Sequence, residues 1–431
     1  MLEFGSLILP IFLKVKADYI MLALSFILLK FLLLSTGSKY VMGIFFLDEM
    51  SMFMIIMSCW IFIVVFLVSK TNLGKIRVII FVLISVLMFF MVDNLVLFFI
   101  LFEFSLFPML LIVIGFGQQP ERIKSGRWMF IYTLLASVPL FFSILYVYFC
   151  LFIHFLSYMC LESSLFLGSI SSLTYIGMIF AMMVKVPLFM THSWLPKAHV
   201  EAPLEGSMIL AGVMLKMGVY GLIRFVMFVP DLLMVNMFIF SISLVGSVYS
   251  CWMALSSNDV KMTVAYSSVS HMNFLISCLT CMKASSIISS IIIMVSHGLC
   301  SSMLFYLMTE MYIKVHSRSI YVIKGIGSQF PILMFMCFTI WSINLSAPPS
   351  MSFMGELIGA FCIISKSFVS CFLMCAYILF NSFYSLFNFS VQCHSSNVIS
   401  SKFDGFKVLM ILSGFLMLFP LVFMFFFFDL I

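Results

Sequence analysis

The sequence predicts an all-α polytopic membrane protein, and three observations support this fold class: its composition, its apolar runs and the distribution of its basic residues. Of its 431 residues, 64% are hydrophobic and only 9% are charged, whereas soluble domains average about 25% charged residues. A single globular core could not bury so much apolar surface, so most of it must face lipid. This composition argues against a cytosolic enzyme, a secreted disulfide scaffold and a nucleic-acid-binding protein.

The apolar runs set the expected number of helices, because a helix needs about 20 apolar residues to cross roughly 30 Å of hydrocarbon. The runs lie near residues 4–13, 17–35, 51–69, 78–92, 95–115, 129–152, 166–190, 205–228, 232–254, 262–281, 285–312, 331–365, 367–390 and 408–428. The first run is short, and 331–365 is one long span that is interrupted at Ala347-Pro348-Pro349. We therefore expect 13 or 14 crossings.

The basic residues test this arrangement. When the 22 Lys and Arg residues are assigned to alternating sides, fifteen fall on one face, four fall inside spans and three fall on the other face: Lys39, Lys283 and Lys366. The positive-inside rule predicts such an asymmetry for a correct alternation. The amino terminus has neither the basic start of a secretory signal nor an Arg-rich transit peptide, so we expect the protein to be made in the compartment where it works or in a bacterium.

Motifs for metals and nucleotides are weak. Cys278-Leu-Thr-Cys281 has no second pair and no nearby His or acid to complete a zinc site, so we interpret these cysteines as packing residues. Gly115-Phe-Gly117 and Gly325-Ile-Gly327 lack the third glycine and the strand-to-helix context of a dinucleotide site. We expect this chain to hold no metal, nucleotide or flavin of its own.

Nine ionisable residues fall at membrane depth, where each central charge costs about 2.5 to 3.5 kcal/mol on insertion scales. We interpret Lys30, Arg224 and Glu310 as side chains that reach the interface from a helix end. The other six resist that interpretation. They are Glu103, Lys185, Lys216, His271, His297 and Glu356.

We predict that these six residues form a proton relay. Glu103 and Lys216 are central in their spans, while Lys185 and Glu356 each lie beside a proline break. Two proline-interrupted spans that each carry a charge are typical of inverted-repeat transporters. A lone His is usually a satisfied core residue, but His titrates near neutral pH, and intramembrane ionisable groups are usually functional.

A polar stretch follows the Lys185 break, and two interpretations of it remain open. Its residues are His192, Trp194, Lys197, His199 and Glu201. They could form a helix end that Trp and Lys anchor at the interface, or a proton entrance from the basic side.

Several motifs resemble one family closely. Lys185-Val-Pro-Leu-Phe-Met-Thr-His192-Ser-Trp-Leu-Pro-Lys197-Ala-His-Val-Glu201-Ala-Pro203, followed by Gly206-Ser-Met-Ile-Leu-Ala-Gly-Val-Met-Leu-Lys216, resembles the antiporter-like subunit 4 family of mitochondrial NADH:ubiquinone oxidoreductase, respiratory complex I. Further motifs match in the same order: Gln118-Gln-Pro-Glu-Arg122, Ala265-Tyr-Ser-Ser-Val-Ser-His271-Met272, Ser296-His-Gly-Leu299, His316-Ser-Arg318 and Gly355-Glu-Leu357. The resemblance covers residues 48 to 390, and the Pro196-to-Pro203 run distinguishes this family from its sister subunits.

The resemblance implies a fold of 14 helices with inverted five-helix repeats, in the mitochondrial inner membrane, with the basic face toward the matrix. It implies that Glu103 pairs with Lys185, that Lys216 is the central proton carrier, and that Glu356 ends a hydrated axis that also contains the two histidines. Other subunits would hold NADH, FMN, iron–sulfur clusters and ubiquinone. Two departures are an extra carboxylate, Glu205, and a shorter amino-terminal region.

These inferences give four expected regions: amino-terminal transmembrane helices (1–75), a first antiporter-like repeat (76–230), a second repeat (231–390), and a loop with a final helix (391–431). The expected function is proton translocation by the membrane arm of complex I, coupled to redox chemistry in other subunits. The expected partners are the bilayer and other membrane-arm subunits, especially the sister antiporter-like subunits, and no nucleic acid. A sodium/proton antiporter subunit would share this relay, and a purely structural membrane subunit is a further alternative.

Overall fold

A computed structural model describes residues 17–34, 40–42, 45–69, 72–157, 171–228, 233–394 and 408–426. The short apolar run expected at 4–13 lies outside the described residues. The described chain divides into two compact units. The first unit runs to Pro187 and resumes over Glu201–Phe238, and the second unit comprises Leu188–Val200 and the described residues from Ile239 onward.

In the described residues of the first unit, the regular elements are helices and one short hairpin, in which Tyr40 pairs with Leu47. Its elements are α1 (Ala17–Leu34), β1 (Tyr40–Met42), β2 (Phe45–Leu47), α2 (Glu49–Val68), α3 (Leu73–Met91), α4 (Leu95–Phe104), α5 (Leu106–Phe116), α6 (Arg122–Cys150), α7 (Ser172–Lys185), α9 (Leu204–Ile209), a π-helical turn (Leu210–Met214) and α10 (Leu215–Phe228).

The second unit is built from helices in its described part. They are α8 (Trp194–Glu201), α11 (Leu233–Ser256), which begins in the first unit, α12 (Val260–Leu279), α13 (Ala284–Val315), α14 (Ile326–Gln329), α15 (Pro331–Asn344), α16 (Met351–Ile364), α17 (Phe368–Cys393) and α18 (Val408–Phe426).

These elements confirm the predicted class of all-α polytopic membrane protein. Among the described residues, eight helices are long and apolar enough to cross a membrane, and shorter apolar helices accompany them. The count of 14 crossings is not confirmed and stays a prediction.

Both predicted proline breaks are present. Helix α7 ends at Lys185, two residues before Pro187, and α15 ends at Asn344, before Pro348 and Pro349. Proline has no backbone N–H and disfavours helical backbone in the residue before it, so neither helix can continue. Helices α7, α15 and α16 have 14 residues each, about 21 Å of rise, which is too short for one helix to cross alone.

Helix starts follow local capping chemistry. Before α2, Asp48 accepts a hydrogen bond from the Ser51 backbone N–H, and the Ser51 hydroxyl accepts one from the Asp48 N–H. Before α4, the Asn94 side chain accepts from the N–H groups of Val96 and Leu97. These side chains satisfy N–H groups that have no partner inside the helix.

The second unit has a basic end and an opposite end. The Val260 N–H donates to the Arg318 carbonyl at 3.1 Å, so α12 begins beside the end of α13. The basic end carries Lys261, Lys314, Arg318 and Lys324. At the opposite end, Lys366 Nζ donates to the Thr280 carbonyl at 3.4 Å and Lys283 contacts Ser365. The two groups of basic residues thus lie at the ends to which the alternation of spans assigned them.

Helix α16 lies close to α13 because of one small residue. A Cβ added at Gly355 would lie 2.8 Å from Ile293 Cγ1, which is closer than a side chain could tolerate. Glycine therefore permits the close approach of these two helices, as small residues commonly do in membrane proteins. The contact fixes the helix turn that carries Glu356.

Candidate functional site

Lys185 lies at the end of α7 and is buried, with 3% of its surface exposed. Its Nζ donates a hydrogen bond to the Phe102 carbonyl at 2.7 Å and lies 3.3 Å from the centroid of the Phe102 ring. A carbonyl dipole and an aromatic face both stabilise a buried ammonium group. The break at Pro187 thus ends α7 at Lys185, whose charge is stabilised by Phe102 of α4.

Glu103 follows Phe102, so its carboxylate lies close enough to Lys185 for the two charges to interact. The Ser137 hydroxyl of α6 also interacts with this carboxylate. Within the part of the chain that the structure describes, Glu103 Oε1 is buried and has no hydrogen-bond partner. The structure brings together the two residues that the resemblance pairs, although Lys185 donates its hydrogen bond to a backbone carbonyl beside the carboxylate.

Lys216 is fully buried, with 0% exposure, and is the second residue of α10. Its Nζ donates to the Ala211 carbonyl at 2.6 Å. Ala211 belongs to the π-helical turn, after which the Leu215 N–H bonds to the Leu210 carbonyl five residues earlier. Because a π turn shifts the hydrogen-bond ladder by one residue, it changes which carbonyls a side chain can reach. The sequence did not predict this turn.

Helix α10 packs directly against the break after α7. A Cβ added at Gly218 would lie 2.6 Å from Val186 Cγ2 and 3.1 Å from Lys185 Cβ. Only glycine allows this contact without displacement of its neighbours. Helix α10, which carries Lys216, therefore packs directly against Lys185.

In the second unit, His271 contacts three groups that can exchange or share protons. Its Nδ1 lies 3.0 Å from Glu356 Oε1 and 3.1 Å from the Tyr377 hydroxyl. Its Nε2 lies 3.5 Å from the Tyr384 hydroxyl. A tyrosine hydroxyl can donate or accept, so both ring nitrogens have a partner in either tautomer.

His297 completes the predicted residues of the second unit. Its ring centroid lies 5.6 Å from that of His271, and both rings line a cavity of about 10 Å³ together with Glu356, Ser296 and Asn344. A cavity of this size holds about one water molecule. The structure therefore gathers His271, His297 and Glu356 around one small cavity.

Three residues of this site were missed in the sequence: Tyr377, Tyr384 and Asn344. The Asn344 amide donates to the Tyr384 hydroxyl oxygen at 2.9 Å. The two tyrosines are seven residues apart on α17 and therefore share one helix face. That spacing was the available signal, but aromatic residues in an apolar run are usually assigned to packing.

Arg224 corrects one interpretation. We expected it to reach the interface, but it is buried, and its Nη2 lies 2.6 Å from Asp48 Oδ2 and 3.0 Å from the Tyr220 hydroxyl. Asp48 caps the start of α2, so its carboxylate is fixed next to Arg224 of α10. The charge is compensated by an ion pair inside the protein. Lys30, in contrast, is exposed as expected.

Glu205, the carboxylate that departs from the family pattern, also has a partner. It lies in the first turn of α9 and forms an ion pair with Lys75 of α3. The two side chains are 9% and 16% exposed. Ion pairs therefore join the segment from α9 to α10 to the rest of the first unit near both of its ends: Glu205 pairs with Lys75, and Arg224 pairs with Asp48.

The polar stretch of α8 is mostly buried in the second unit. Trp194 is 3% exposed, and the fully buried His199 ring stacks on Phe305 with centroids 4.4 Å apart, while Lys197 is exposed. A buried Trp194 does not fit the role of an interfacial anchor facing lipid, because such residues lie at the headgroup level.

Among the described residues, no group of three or more His, Cys, Asp or Glu side chains is placed to hold a metal ion. Cys278 and Cys281 are both buried free thiols at the end of α12. A Cβ added at Gly359 of α16 would lie 2.6 Å from Cys278 Sγ, so this cysteine occupies a tight contact between the two helices.

The fold and these contacts define a class. The chain is a multi-pass helical membrane protein whose buried ionisable groups lie beside broken helices, an arrangement typical of transporters.

Comparison with known proteins identifies the family. Residues 92–383 match the model of the family described as NADH:quinone oxidoreductase/Mrp antiporter, TM. NADH-ubiquinone oxidoreductase chain 4 of Rhipicephalus sanguineus is 38% identical over 89% of this chain and 88% of the relative. The Ceratitis capitata chain 4 is 36% identical over 83% and 80%. A chain of respiratory complex I from Thermus thermophilus with bound NADH has the same fold, with a TM-score of 0.88 at 18% identity, covering 97% of this chain and 94% of that chain.

The chain belongs to the NADH-ubiquinone oxidoreductase chain 4 family, within the wider NADH:quinone oxidoreductase/Mrp antiporter membrane family. It is a multi-pass protein of the mitochondrial inner membrane.

Proposed function

We propose that this chain is a membrane-arm subunit of respiratory complex I and translocates protons across the inner membrane. The proposal is supported by its family and by the buried ionisable residues in each unit. Oxidation of NADH and reduction of ubiquinone, with FMN and iron–sulfur clusters, are assigned to other subunits. In this proposal the chain is part of an enzyme and its own contribution is proton movement.

In the first unit, Lys216 is the proton carrier, and the Glu103 and Lys185 pair controls it. Lys185 interacts with Glu103, and the helix of Lys216 touches the Lys185 backbone turn. Protonating Glu103 would leave the Lys185 charge uncompensated, and a second buried positive charge at Lys216 would then be disfavoured. A change of one charge at Glu103 could thereby release the proton from Lys216.

In the second unit, a proton is transferred between His271 and Glu356. A proton accepted at Nε2 of neutral His271 gives an imidazolium, whose Nδ1–H bond then breaks as an O–H bond forms at Glu356 Oε1. The ring keeps the proton on Nε2, so one proton has moved across the ring and no charge is lost. The 3.0 Å separation of Nδ1 and Oε1 is within reach for such a transfer.

This contact is the observation that carries the proposal. A purely structural membrane subunit would have no need for a His and a carboxylate in contact beside a broken helix, because intramembrane ionisable groups are costly. Glu356 is the sixth residue of α16, which begins just after the break at Pro349. Irregular backbone at membrane depth is tolerated where it is buried or lines a cavity.

The remaining assignments extend the same proposal. The repeats comprise residues 76–230 and 231–390, between the amino-terminal helices (1–75) and the final loop and helix (391–431). Within the assembled complex, the chain contacts other membrane-arm subunits, and we assign the sister antiporter-like subunits as its neighbours. The many exposed apolar side chains, such as Phe142, Phe361 and Phe372, suit either lipid or such neighbours.

The experiment that tests this function asks what drives the protons. The assembly that contains this chain is reconstituted into liposomes without sodium, and NADH with a soluble ubiquinone is added. We expect NADH-dependent acidification of the vesicle interior that stops when quinone is omitted. Proton exchange that needs a sodium gradient and ignores NADH would support the sodium/proton antiporter instead.

A further inference from the structure

The chain that follows the break at Pro187 is attached to α12 through a buried side chain. Residues 188–193, here called the break loop, lead from the break to α8 and belong to the second unit. The Phe189 N–H of this loop donates to Asn273 Oδ1 at 3.1 Å, and the Asn273 amide donates to the Val269 carbonyl at 2.8 Å. Asn273 is 0% exposed. Its amide group is therefore held by α12 on one side and holds the break loop on the other.

Helix α11 leaves room for this contact at a glycine. A Cβ added at Gly246 would lie 2.5 Å from Phe189 Cβ and 3.1 Å from Asn273 Oδ1. The Phe189 ring packs on Tyr249 of the same helix, with centroids 5.0 Å apart. A larger residue at Gly246 would push Phe189 away from the asparagine oxygen, so the hydrogen bond depends on both Asn273 and Gly246.

The backbone of the break loop is strained next to this hydrogen bond. Met190 has a φ of 82°, in the left-handed region that residues with a Cβ rarely adopt. The Thr191 N–H donates to the Leu188 carbonyl at 3.0 Å and closes a turn around Met190. Strained backbone persists only where its surroundings hold it. The Asn273 contact is such a restraint, because it fixes the residue directly before Met190.

Helix α12 places Asn273 and His271 on opposite faces, because two residues correspond to about 200° of rotation around an α-helix. His271 contacts Glu356 of α16 and Tyr377 of α17, whereas Asn273 contacts the break loop. The hydrogen bond to the loop is thus separate from the contacts of His271, although one helix carries both.

The break loop also follows Lys185 closely in the chain. Phe189 is four residues after Lys185, whose Nζ donates to the Phe102 carbonyl at 2.7 Å. Pro187 lies between them, and its ring fixes the backbone φ at that position, which limits how far this short connection can bend. A loop that is fixed at Phe189 therefore restricts the position of Lys185 as well.

We propose that Asn273 is a positioning residue, which anchors the break loop on α12 so that a change of charge at Lys185 is transmitted to the helix of His271. The inference rests on the proposed function, in which Lys185 controls proton release in the first unit. Loss of the ammonium charge weakens the hydrogen bond to the Phe102 carbonyl, so Lys185 and the chain after it shift. The anchored loop passes this displacement to α12, whereas a loop without its anchor absorbs it. Asn273 itself carries no proton.

The test breaks the same hydrogen bond in two ways. Asn273→Leu removes the acceptor, and Gly246→Ala displaces Phe189 but keeps the asparagine, so it decides the question if Asn273→Leu does not assemble. The matched control is Asn236→Leu, because Asn236 is also buried, at 2% exposure, and accepts from the Tyr175 hydroxyl at 2.8 Å. Each variant is made alone and together with Lys185→Met. The rate of NADH-driven proton pumping is measured with the fully assembled complex in liposomes.

We expect Asn273→Leu and Gly246→Ala each to slow pumping about fivefold, and the two together to be no slower than either alone. In the Lys185→Met background neither should slow pumping much further, because two residues that act through one contact give non-additive effects. Asn236→Leu should keep most of the rate in both backgrounds. Full additivity of Asn273→Leu and Lys185→Met would mean that the asparagine serves only packing, and would overturn the proposal.

The single variants separate this inference from the proposed function. If Lys185→Met pumps at the normal rate, the proposed role of the first unit fails and the inference fails with it. If Lys185→Met slows pumping while Asn273→Leu and Gly246→Ala do not, only the inference about the break loop fails.

Discussion

The residues of the proposed relay make different hydrogen bonds in the two units of this chain. In the first unit, the two lysine amines donate to backbone carbonyls, Lys185 to Phe102 and Lys216 to Ala211. In the second unit, the nitrogens of His271 contact side chains, and one of these is the carboxylate of Glu356. Backbone carbonyls cannot take a proton, whereas a carboxylate can.

This difference suggests different tasks for the two units. A carbonyl stabilises an ammonium group but leaves its proton in place, so release must be driven by a change in nearby charge. A His in contact with a carboxylate can transfer a proton directly. We therefore expect the first unit to respond to charge changes and the second unit to respond to loss of a proton donor or acceptor.

The largest effect is expected at the direct contact of the second unit. His271→Gln and Glu356→Gln keep polar side chains of comparable size but remove the ability to exchange a proton. Pumping per NADH should fall by about 100-fold, measured by vesicle acidification with the assembled complex. Tyr306→Phe serves as the control, because it removes a buried hydroxyl that interacts with Ser413. Normal pumping in both Gln variants would show that the contact is structural.

A smaller effect is expected from the charges of the first unit, and it should depend on both partners. Lys185→Met and Glu103→Gln each leave the other charge buried without its partner, so each should slow pumping. The double variant removes both charges and should be less impaired than the two single effects combined. We expect a coupling of about 1 to 3 kcal/mol in the pumping barrier, obtained from rates of the four proteins. Strictly additive effects would contradict the pairing.

The ion pairs of the α9 to α10 segment should affect stability more than transport. Arg224→Ala leaves the partly buried Asp48 without its ion-pair partner and should lower the free energy of unfolding by about 1 to 3 kcal/mol, between the values for exposed and buried pairs. Thermal unfolding of the assembled membrane arm measures this change.

The Lys75 and Glu205 pair gives a matched comparison. Glu205→Ala should destabilise by about 1 to 3 kcal/mol, between the values for exposed and buried pairs. Glu205→Lys places two positive charges together and should also lower stability. The double variant Lys75→Glu with Glu205→Lys reverses the ion pair and should recover most of the stability that Glu205→Lys loses. Lys30→Ala, at an exposed position, should change stability by less than about 0.5 kcal/mol. Failure of the reversed pair to recover stability would mean that packing dominates over charge.

The smallest effect is expected at Cys278. It fills a tight contact between α12 and α16, so Cys278→Ala should cost about 1 kcal/mol of stability through the small cavity that it leaves. Pumping and sensitivity to metal chelators should not change. A loss of pumping on chelation that disappears in the variant would instead indicate a metal role for this cysteine.

Much of the fold could be predicted because lipid imposes simple rules. Long apolar runs gave membrane helices, and Pro187 and Pro349 gave the two breaks because proline removes a backbone donor. The six ionisable residues could be selected because charge at membrane depth is costly. The structure then brings Glu103 and Lys185 together in the first unit, and His271, His297 and Glu356 together in the second.

The remainder depended on contacts between segments that are distant in sequence. The Arg224 and Asp48 pair joins residues 176 positions apart, so neither residue alone indicated its partner. The π turn before Lys216 has no marker in composition. The buried polar face of α17 did have a signal, the helical spacing of Asn381, Tyr384 and Asn388, but it is visible only when helix faces are separated.

The most direct test of the central claim is the number of protons pumped per electron by the assembled complex with Lys216→Met. Methionine preserves much of the length and volume of the fully buried side chain but cannot carry a proton. If Lys216 is the carrier, the variant should oxidise NADH with fewer protons moved per electron than the parent complex. An unchanged ratio, in a complex shown to be fully assembled, would contradict proton transfer through this chain.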